Sequence, residues 1–173
     1  MENQYLHEVA ITAIIVKEGN KYLITRRSPN KKRFPGKWTV PGGKMETKDY
    51  LALPKDTEFY WYNVLERTLK REVWEEVGLE VKNVEYLTSL ATVHEDPPSP
   101  NGSGEASGTP SLVISCIADF VSGDVKLQEG ETDAFEWVTT EESKSYDLLD
   151  GIYEEFVMID KLKKGVREEW KRA

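Results

Sequence analysis

The stretch REVWEEVGL, residues 71–79, places glutamates at spacings of three and four residues, which gather them on one face of a helix. Upstream, aliphatic residues recur at every fourth position and form the apolar stripe typical of a helix packed on a core. This stripe consists of Leu65, Leu69, Val73 and Val77. The pattern therefore predicts a helix over residues 64–77 that carries the carboxylates of Glu72, Glu75 and Glu76.

The two ends of this helix also carry recognisable signals. Asn63 with Glu66 three residues later fits a capping box, and Gly78 is typical of the residue that follows a helix. The sequence thus predicts a side-chain cap at Asn63 and a glycine stop at Gly78, with a longer helix capped at Asp56 or Thr57 as the alternative start.

The position of the carboxylates relative to the apolar stripe separates two interpretations. A solvated acidic face would lie opposite the stripe, whereas at roughly 100° per residue Glu72 and Glu76 point within about 20° of Leu65. Carboxylates that are drawn together and partly removed from water repel one another, so they need a positive partner. We therefore favour a site for a hard divalent cation such as Mg²⁺, which prefers oxygen ligands.

On both sides of the helix the sequence mixes strand and helix patterns. The runs at 7–18 and 21–27 are β-rich and are joined by a Gly19-Asn20 turn, which predicts a hairpin. Further strands are predicted at 81–94, 112–121 and near 135–138. A last amphipathic helix is predicted over residues 152–166. Because no internal repeat or boundary is visible, we expect one α/β domain over residues 1–173.

Composition argues against several classes of protein. The chain has 31 acidic and 23 basic side chains and a formal net charge of −8, so bulk electrostatic binding to a nucleic-acid polymer or an anionic membrane is not expected. The longest uncharged apolar run, residues 9–16, is too short to span a bilayer. The lone cysteine, Cys116, lacks a partner for an internal disulfide, which favours a reducing, cytoplasmic location.

One segment opposes the overall charge. Residues 21–44 hold eight lysines and arginines and no acidic residue, and they include Pro41-Gly42-Gly43, where small residues let backbone groups approach a ligand closely. Arginine presents forked donors suited to phosphate oxygens. A basic segment and a metal-binding acidic face together indicate a polyphosphate substrate bridged by metal, with water attacking phosphorus.

These residues resemble the signature of the Nudix hydrolase family, G-x5-E-x7-R-E-U-x-E-E-x-G-U, where U is a bulky aliphatic residue. Residues 71–79 fill its second half without a mismatch, and the first half is present as GKWTVPGGKME over residues 36–46. The neighbouring YLITRRS, residues 22–28, is similar to the MutT-like branch. The resemblance implies an α/β/α sandwich with a mixed β-sheet that uses Mg²⁺ or Mn²⁺.

The resemblance also implies roles for individual side chains. Arg71 would orient Glu72 through an ion pair. Glu131, six residues before Trp137, would supply a further carboxylate from a loop, with Glu129 as the alternative. The implied catalytic residues are Arg71, Glu72, Glu76 and Glu131. The implied metal ligands are Glu72, Glu75, Glu76, Glu131 and the carbonyl oxygen of Gly42, and the implied substrate-binding residues are Arg27, Arg26 and Lys44.

The chain departs from the family pattern between the two halves of the signature, where residues 47–62 form an insertion. Counting eight residues back from Arg71 puts Asn63 where the pattern has its first Glu. Either this carboxylate is absent, or Glu46 or Glu58 reaches the same place. We expect the four aromatic side chains at the end of the insertion to pack on the protein's own surface, with stacking on a base or a subunit contact in a homodimer as alternatives. These four are Phe59, Tyr60, Trp61 and Tyr62.

A second unusual segment covers residues 97–111. Thirteen of its fifteen residues are Pro, Gly, Ser, Thr or Asn, which predicts a flexible loop. Two interpretations stay open: a mobile lid over the site, or a flexible surface loop.

The resemblance leaves the substrate open between classes. We expect a metal-dependent pyrophosphohydrolase that converts a nucleoside triphosphate to a monophosphate and pyrophosphate, with a small nucleotide as its partner. ADP-ribose or another nucleoside diphosphate sugar is the alternative substrate. A catalytically silent nucleotide sensor on the same fold is the alternative from another class, and the three intact helix carboxylates argue against it.

Overall fold

A computed structural model describes residues 6–94 and 109–169, and within them one mixed β-sheet carries helices on both faces. The strands are β1 (Glu8–Lys17), β2 (Lys21–Arg27), β3 (Trp38–Thr39), β4 (Gly42–Lys44), β5 (Glu80–His94), β6 (Thr109–Ser122) and β7 (Thr132–Val138). The helices are α1 (Val64–Val77), α2 (Thr140–Ser143) and α3 (Ile152–Lys163), and a 3₁₀ turn covers Thr47–Asp49. In this described part of the chain no helix combines the length and apolar character needed to cross a lipid bilayer.

Strand β1 is the centre of the sheet. It pairs in parallel with β6 and antiparallel with β2, β2 also pairs with β3 and β7, and β5 lies beyond β6. The short strand β4 pairs antiparallel with the start of β1, so that Gly42 lies opposite Thr12 and Gly43 opposite Ile11. The predicted α/β/α sandwich with a mixed β-sheet is confirmed.

The core forms two layers because alternate residues of a strand point to opposite faces of the sheet. In β1, Ile11 and Ile15 join the cluster that packs on α1, whereas Ile14 joins the cluster that packs on α3. The fully buried part of the α1 stripe is Leu69, Val73 and Val77. Each fully buried side chain of this size contributes roughly 1.5–3 kcal/mol, so the stripe fixes how α1 lies on the sheet.

Helix α1 has the predicted bounds, but its first residue is capped differently. Asn63 adopts the left-handed conformation with φ 55°, and its side chain makes no capping hydrogen bond. The predicted capping box with Glu66 is therefore wrong, because an N-cap side chain reaches the first amides from an extended backbone. At the other end Gly78 adopts φ 67°, as its predicted place after the helix requires.

Strand β6 begins earlier than predicted, at Thr109, where it pairs with His94 at the end of β5. Residues 109–111 of the predicted loop 97–111 are therefore strand, because β5 is long enough to offer them backbone partners. The rest of that prediction, residues 97–108, lies outside the described residues.

Helix α3 is shorter than predicted. It ends at Lys163, and Val166, which the apolar spacing assigned to the helix, lies past its end and is exposed. Gly165, with φ 78°, interrupts the helical backbone before Val166 is reached.

The insertion, residues 47–62, folds back on itself around Trp61. The Trp61 ring packs edge-on against Tyr50 with centroids 5.5 Å apart, and its Nε1 donates to the carbonyl of Leu53 at 3.0 Å. The other inserted rings remain exposed: Phe59, Tyr60 and Tyr62. The expectation that the four rings pack on the protein's own surface is therefore wrong for these three, because the segment closes around Trp61 alone.

Glu155 of α3 is buried against the opposite face of the sheet, with 4% of its surface exposed. Ser115 Oγ donates to its Oε1 at 2.8 Å, while Oε2 has no hydrogen-bond partner within the described residues. Burial raises the pKa of Glu155 to about 7, although the Ser115 hydrogen bond opposes the shift. Folding therefore keeps this carboxyl protonated at pH values where the unfolded chain has already ionised it.

We expect the stability of the protein to fall between about pH 5 and about pH 8, and Glu155→Gln to reduce that fall. The penalty is absent below the unfolded pKa of 4.5, grows as the pH rises, and is complete above about 7. A shift of this size corresponds to roughly 3 kcal/mol. Urea unfolding at about pH 5 and about pH 8 measures this change in the free energy of unfolding, with Glu154→Gln at the exposed neighbouring residue as control. An equal fall in the wild type and in Glu155→Gln would contradict the prediction.

Candidate active site

The carboxylate-bearing edge of α1 meets the glycines of β4. The Gly42 amide N–H donates to Glu76 Oε2 at 2.9 Å. A Cβ atom on Gly43 would lie closer than 3.0 Å to the carboxylate of Glu72, and one on Gly42 would collide with the backbone of Ile11. Gly42 therefore requires glycine, because β1 backbone occupies the space of a Cβ atom, whereas a side chain at Gly43 would displace the Glu72 carboxylate.

From the sequence, we expected the backbone at these glycines to approach a ligand closely. In the structure Gly42 and Gly43 belong to strand β4, and the groups that approach their backbone are the protein's own carboxylates. The contact at Gly42 is made by its amide, so a role for its carbonyl oxygen as a metal ligand stays a prediction.

Burial governs the charge of the Glu72 and Glu76 carboxylates. It raises the pKa of Glu76 to about 7, although the hydrogen bond from Gly42 opposes the shift. The charges of Glu72 and Glu131 act in the same direction as burial, and that of Arg27 opposes it. Burial likewise raises the pKa of Glu72 against a neighbouring guanidinium. These carboxylates are thus held where a nearby positive charge would stabilise them.

Arg71 supplies part of the positive charge beside these carboxylates. Its Nη1 lies 2.8 Å from Glu72 Oε1 and 3.1 Å from Glu75 Oε2. The ion pair between Arg71 and Glu72 that the family resemblance implied is present. Glu75 is exposed, whereas Glu72 and Glu76 are half-buried at the strand.

The other edge of the Arg71 guanidinium faces Asp49, an aspartate from the insertion. Nε and Nη2 donate to the two Asp49 oxygens at 2.5 and 3.1 Å. The residues considered from the sequence, Glu46 and Glu58, have exposed side chains, and Glu46 pairs with Lys48. Asp49 stands six residues after Gly43, which is the G-x5-E spacing of the signature with Asp in place of Glu. Sequence reasoning missed it because the count was made back from Arg71, across the inserted residues.

Glu131 lies in the loop before β7, beside the end of α1. In this loop the Gln128 amide donates to the carbonyl of Glu76 at 3.0 Å, which fastens the loop to the helix. The Glu131 carboxylate forms an ion pair with Lys31, and its charge reaches Glu76. Glu129 is exposed, so the geometry favours Glu131 as the loop carboxylate.

Arg27 ends strand β2 near the same carboxylates, close enough for its charge to act on Glu76. Its Nε donates to the carbonyl of Arg33 at 3.1 Å, and its backbone bonds to Gly36 and Lys37 close the intervening basic loop. This loop is thereby anchored beside the carboxylates, where phosphate oxygens would meet it.

The side chains of Arg26 and Lys44 are engaged elsewhere. Arg26 forms a bidentate ion pair with Asp133, at 2.7 and 3.1 Å. Lys44 Nζ lies 2.7 Å from Glu8, while its carbonyl accepts from Arg71 Nη2 at 3.2 Å. Their role in substrate binding stays a prediction, and it requires these ion pairs to open.

The donor set fits a hard divalent cation, because it consists of carboxylate oxygens that are partly buried and whose charge Arg71 compensates only in part. Across residues 6–94 and 109–169, no three His, Cys, Asp or Glu side chains already stand in an arrangement that could hold an ion. Arg71 contacts two of the three helix carboxylates, and the Gly42 amide contacts the third. Binding a cation therefore requires these side chains to turn.

Comparison with known proteins identifies the family. The model of the NUDIX domain matches residues 6–157. The NAD-capped RNA hydrolase NudC of Chromobacterium violaceum is 32% identical over 124 residues, which are 72% of this chain and 35% of that protein. The nucleoside triphosphatase NudI of Klebsiella pneumoniae is 28% identical over 143 residues, 80% of this chain and 86% of that protein. The crystal structure of a MutT NUDIX hydrolase from Burkholderia pseudomallei shares the fold, with a TM-score of 0.63 at 20% identity, over 88% of this chain and 97% of that one. The chain thus spans about a third of the length of NudC and most of the other two, and it belongs to the Nudix hydrolase family as a MutT-like member.

Proposed function

We propose that this protein is a metal-dependent pyrophosphohydrolase that converts a nucleoside triphosphate and water into a nucleoside monophosphate and pyrophosphate. The observation that carries the proposal is the convergence of two buried carboxylates, Glu72 and Glu76, on the glycines of β4. Arg27 and Glu131 lie close enough for their charges to act on Glu76. An anionic polyphosphate bridged by a cation is the ligand that such a mixed charge set suits.

The cation that these donors fit is Mg²⁺ or Mn²⁺, and Nudix hydrolases generally use divalent metal ions. The residues that would hold it in the free protein are Glu72, Glu75, Glu76 and the carbonyl oxygen of Gly42, and Glu131 would hold a cation that binds together with the substrate. When bound, the cation would neutralise phosphate charge and make water a better nucleophile.

The chain's own groups orient the reactants and move the proton. Arg71 keeps Glu72 in place, and Glu131 accepts the proton of the attacking water, for which it must lie within hydrogen-bond reach. The proposed phosphate-binding cations are Arg27, Arg26 and Lys44. The phosphoanhydride bond between the α- and β-phosphate groups breaks, and pyrophosphate leaves.

Two relatives support different substrates. The nucleoside triphosphatase NudI, which the chain matches over most of both lengths, supports a triphosphate. The NAD-capped RNA hydrolase NudC supports a second candidate, a nucleoside diphosphate joined to a further group, as in ADP-ribose or a nucleoside diphosphate sugar. The net charge of −8 supports a small nucleotide as the partner over a nucleic-acid polymer or an anionic membrane, and the lone cysteine supports a cytoplasmic location.

The test is a panel of nucleoside triphosphates, ADP-ribose and nucleoside diphosphate sugars, incubated with Mg²⁺, with the products separated by chromatography. A monophosphate with pyrophosphate supports the triphosphate proposal. Two monophosphate products from ADP-ribose or a sugar nucleotide would favour the second candidate. Tight binding of a nucleotide without turnover would contradict the proposed enzymatic activity and favour a catalytically silent nucleotide sensor.

We expect Arg27→Ala to raise KM by roughly ten-fold or more, because an arginine–phosphate hydrogen bond is charge-assisted. The melting temperature should change little, since the hydrogen bond that Arg27 Nε donates to the Arg33 carbonyl is worth about 1 kcal/mol. Steady-state kinetics measures the effect, with Lys70→Ala at an exposed position of α1 as control. Unchanged kinetics would remove Arg27 from the substrate site.

A further inference from the structure

An ion pair joins two loops beside the candidate active site. The ammonium group of Lys31, in the basic loop over residues 28–37, contacts the carboxylate of Glu131, in the loop before β7. The two side chains are 27% and 37% exposed, so water reaches both of them. A lysine–carboxylate pair that water reaches contributes little to stability, because solvent screens it. Each partner can therefore exchange the other for a new partner at small cost.

The backbone holds both residues in place and leaves the lysine side chain its freedom to rotate. The Ser28 amide donates to the carbonyl of Glu131 at 2.9 Å, and the Lys31 amide donates to the carbonyl of Ser28 at 3.0 Å. The Asn30 amide donates to Ser28 Oγ at 3.3 Å, which tightens the turn that leads to Lys31. Because lysine carries its ammonium group on a flexible four-carbon stem, the ion pair can open without displacement of either loop.

Lys31 offsets negative charge in a site that already contains several carboxylates. The charge of Glu131 adds to the effect of burial in raising the pKa of Glu76. Without a partner, the Glu131 carboxylate would increase the repulsion within this group. The ammonium group of Lys31 therefore stabilises the substrate-free arrangement. It also occupies the carboxylate that the proposed reaction requires.

A polyphosphate bridged by a cation suits both members of this ion pair. Phosphate oxygens accept from an ammonium group, and carboxylates bind Mg²⁺ together with substrate phosphates. Lys31 lies in the loop that Arg27 anchors beside the carboxylates, where Arg27 Nε donates to the carbonyl of Arg33 at 3.1 Å. Substrate binding can thus give Lys31 and Glu131 new partners, with neither charge left uncompensated.

We propose that Lys31 is a substrate-binding residue that also controls Glu131. In the free protein its ammonium group pairs with the Glu131 carboxylate, and it transfers to phosphate oxygens when the polyphosphate binds. Glu131 then becomes available to hold the cation that arrives with the substrate and to position water. This inference rests on the proposed function for the role of Glu131, and it supplies a physical reason why that carboxylate would hold a cation only together with the substrate.

The alternative is that the ion pair only fastens the two loops to each other. Lys37 provides a matched comparison, because it lies in the same basic loop and its carboxylate partner is Asp147 instead of Glu131. Lys37→Met removes one positive charge and one ion pair of the same kind from this loop, and it leaves Glu131 paired with Lys31.

The first measurement is Mn²⁺ binding to the substrate-free protein, followed through the EPR signal of the free ion. We expect Lys31→Met to tighten Mn²⁺ binding by roughly three- to ten-fold, because the cation no longer competes with an ammonium group for Glu131. The same substitution in a Glu131→Gln background should produce little gain, since the interaction of two residues in contact disappears with either partner. Lys37→Met should bind Mn²⁺ as the wild type does. An equal gain with and without Glu131 would overturn the inference.

The second measurement is a calorimetric titration with inorganic tripolyphosphate in the presence of Mg²⁺. Lys31→Met should weaken tripolyphosphate binding by roughly ten-fold or more, since it removes a charge-assisted contact to phosphate. Lys31→Arg should retain most of the affinity, and Lys37→Met should bind as the wild type does. Equal affinities in the wild type and in Lys31→Met would contradict a role for Lys31 in binding phosphate.

Steady-state kinetics separates this inference from the proposed function. On the nucleotide that the wild type hydrolyses, Lys31→Met should raise KM by roughly ten-fold and change kcat little, because Glu131 remains available in the variant. A loss of kcat as large as in Glu131→Gln, with KM unchanged, would overturn the inference. A wild type that hydrolyses no nucleotide would instead overturn the proposed function, and the Mn²⁺ and tripolyphosphate titrations would still decide what Lys31 does.

Discussion

Glu76→Gln is expected to lower kcat by more than roughly 100-fold, since even a group that only orients a metal ligand is typically worth 10- to 100-fold. The variant should also lose most of the rise in melting temperature that Mg²⁺ produces by mass action in the wild type. Metal-free Glu76→Gln should be at least as stable as wild type above pH 7, because burial raises the pKa of Glu76 to about 7 and disfavours its ionised form.

The raised pKa of Glu76 also determines in which direction Mg²⁺ binding changes with pH. Below about 7 Glu76 is protonated and a proton competes with the cation, so the Mg²⁺-induced rise in melting temperature should grow as the pH increases through about 7. Differential scanning fluorimetry with and without Mg²⁺ measures it, with Glu66→Gln on the same helix as the control for lost charge. Equal Mg²⁺ shifts in the wild type and in Glu76→Gln would exclude Glu76 as a metal ligand.

The second large effect is expected for Glu131→Gln, which should lower kcat by about 100-fold or more, the range typical for loss of a general base. Glu131 comes from a separate loop fastened to the end of α1 and is paired with Lys31. The Mg²⁺ shift of the substrate-free protein should therefore be nearly intact. Glu72→Gln, by contrast, should damage both turnover and the Mg²⁺ shift.

Glu129→Gln is the matched control, two residues away in the same loop and exposed. Full turnover in Glu131→Gln with loss in Glu129→Gln would move the role to Glu129. If neither variant loses activity, catalysis rests on the helix carboxylates. Single-turnover kinetics separates these outcomes from slow product release.

Helix α1 shows which features of the fold can be predicted from local sequence. Its bounds, its buried stripe and its glycine stop were all predicted, because helical spacing relates residues only three or four positions apart. The edge position of Glu72 and Glu76 followed from the same angle per residue, and the structure places both against β4.

The wrong predictions concern residues whose conformation depends on contacts with distant parts of the chain. The predicted cap at Asn63 is wrong because the chain passes from the insertion into α1 with Asn63 in a left-handed conformation. Strand β4 was not predicted, because a three-residue strand has no recognisable alternation, and only pairing with β1 makes Gly42 and Gly43 part of a strand.

By itself, the sequence determined the α/β class, the family and the helix that presents the three carboxylates, because these depend on short-range spacing and on a motif. Tertiary structure decided which groups those carboxylates meet. Asp49 lies 22 residues from Arg71 and Gly42 lies 34 residues from Glu76, and helical spacing specifies neither contact. Both depend on how the insertion closes around Trp61 and on how β4 pairs with β1, because a contact between distant residues is set by the packing of the segments that carry them.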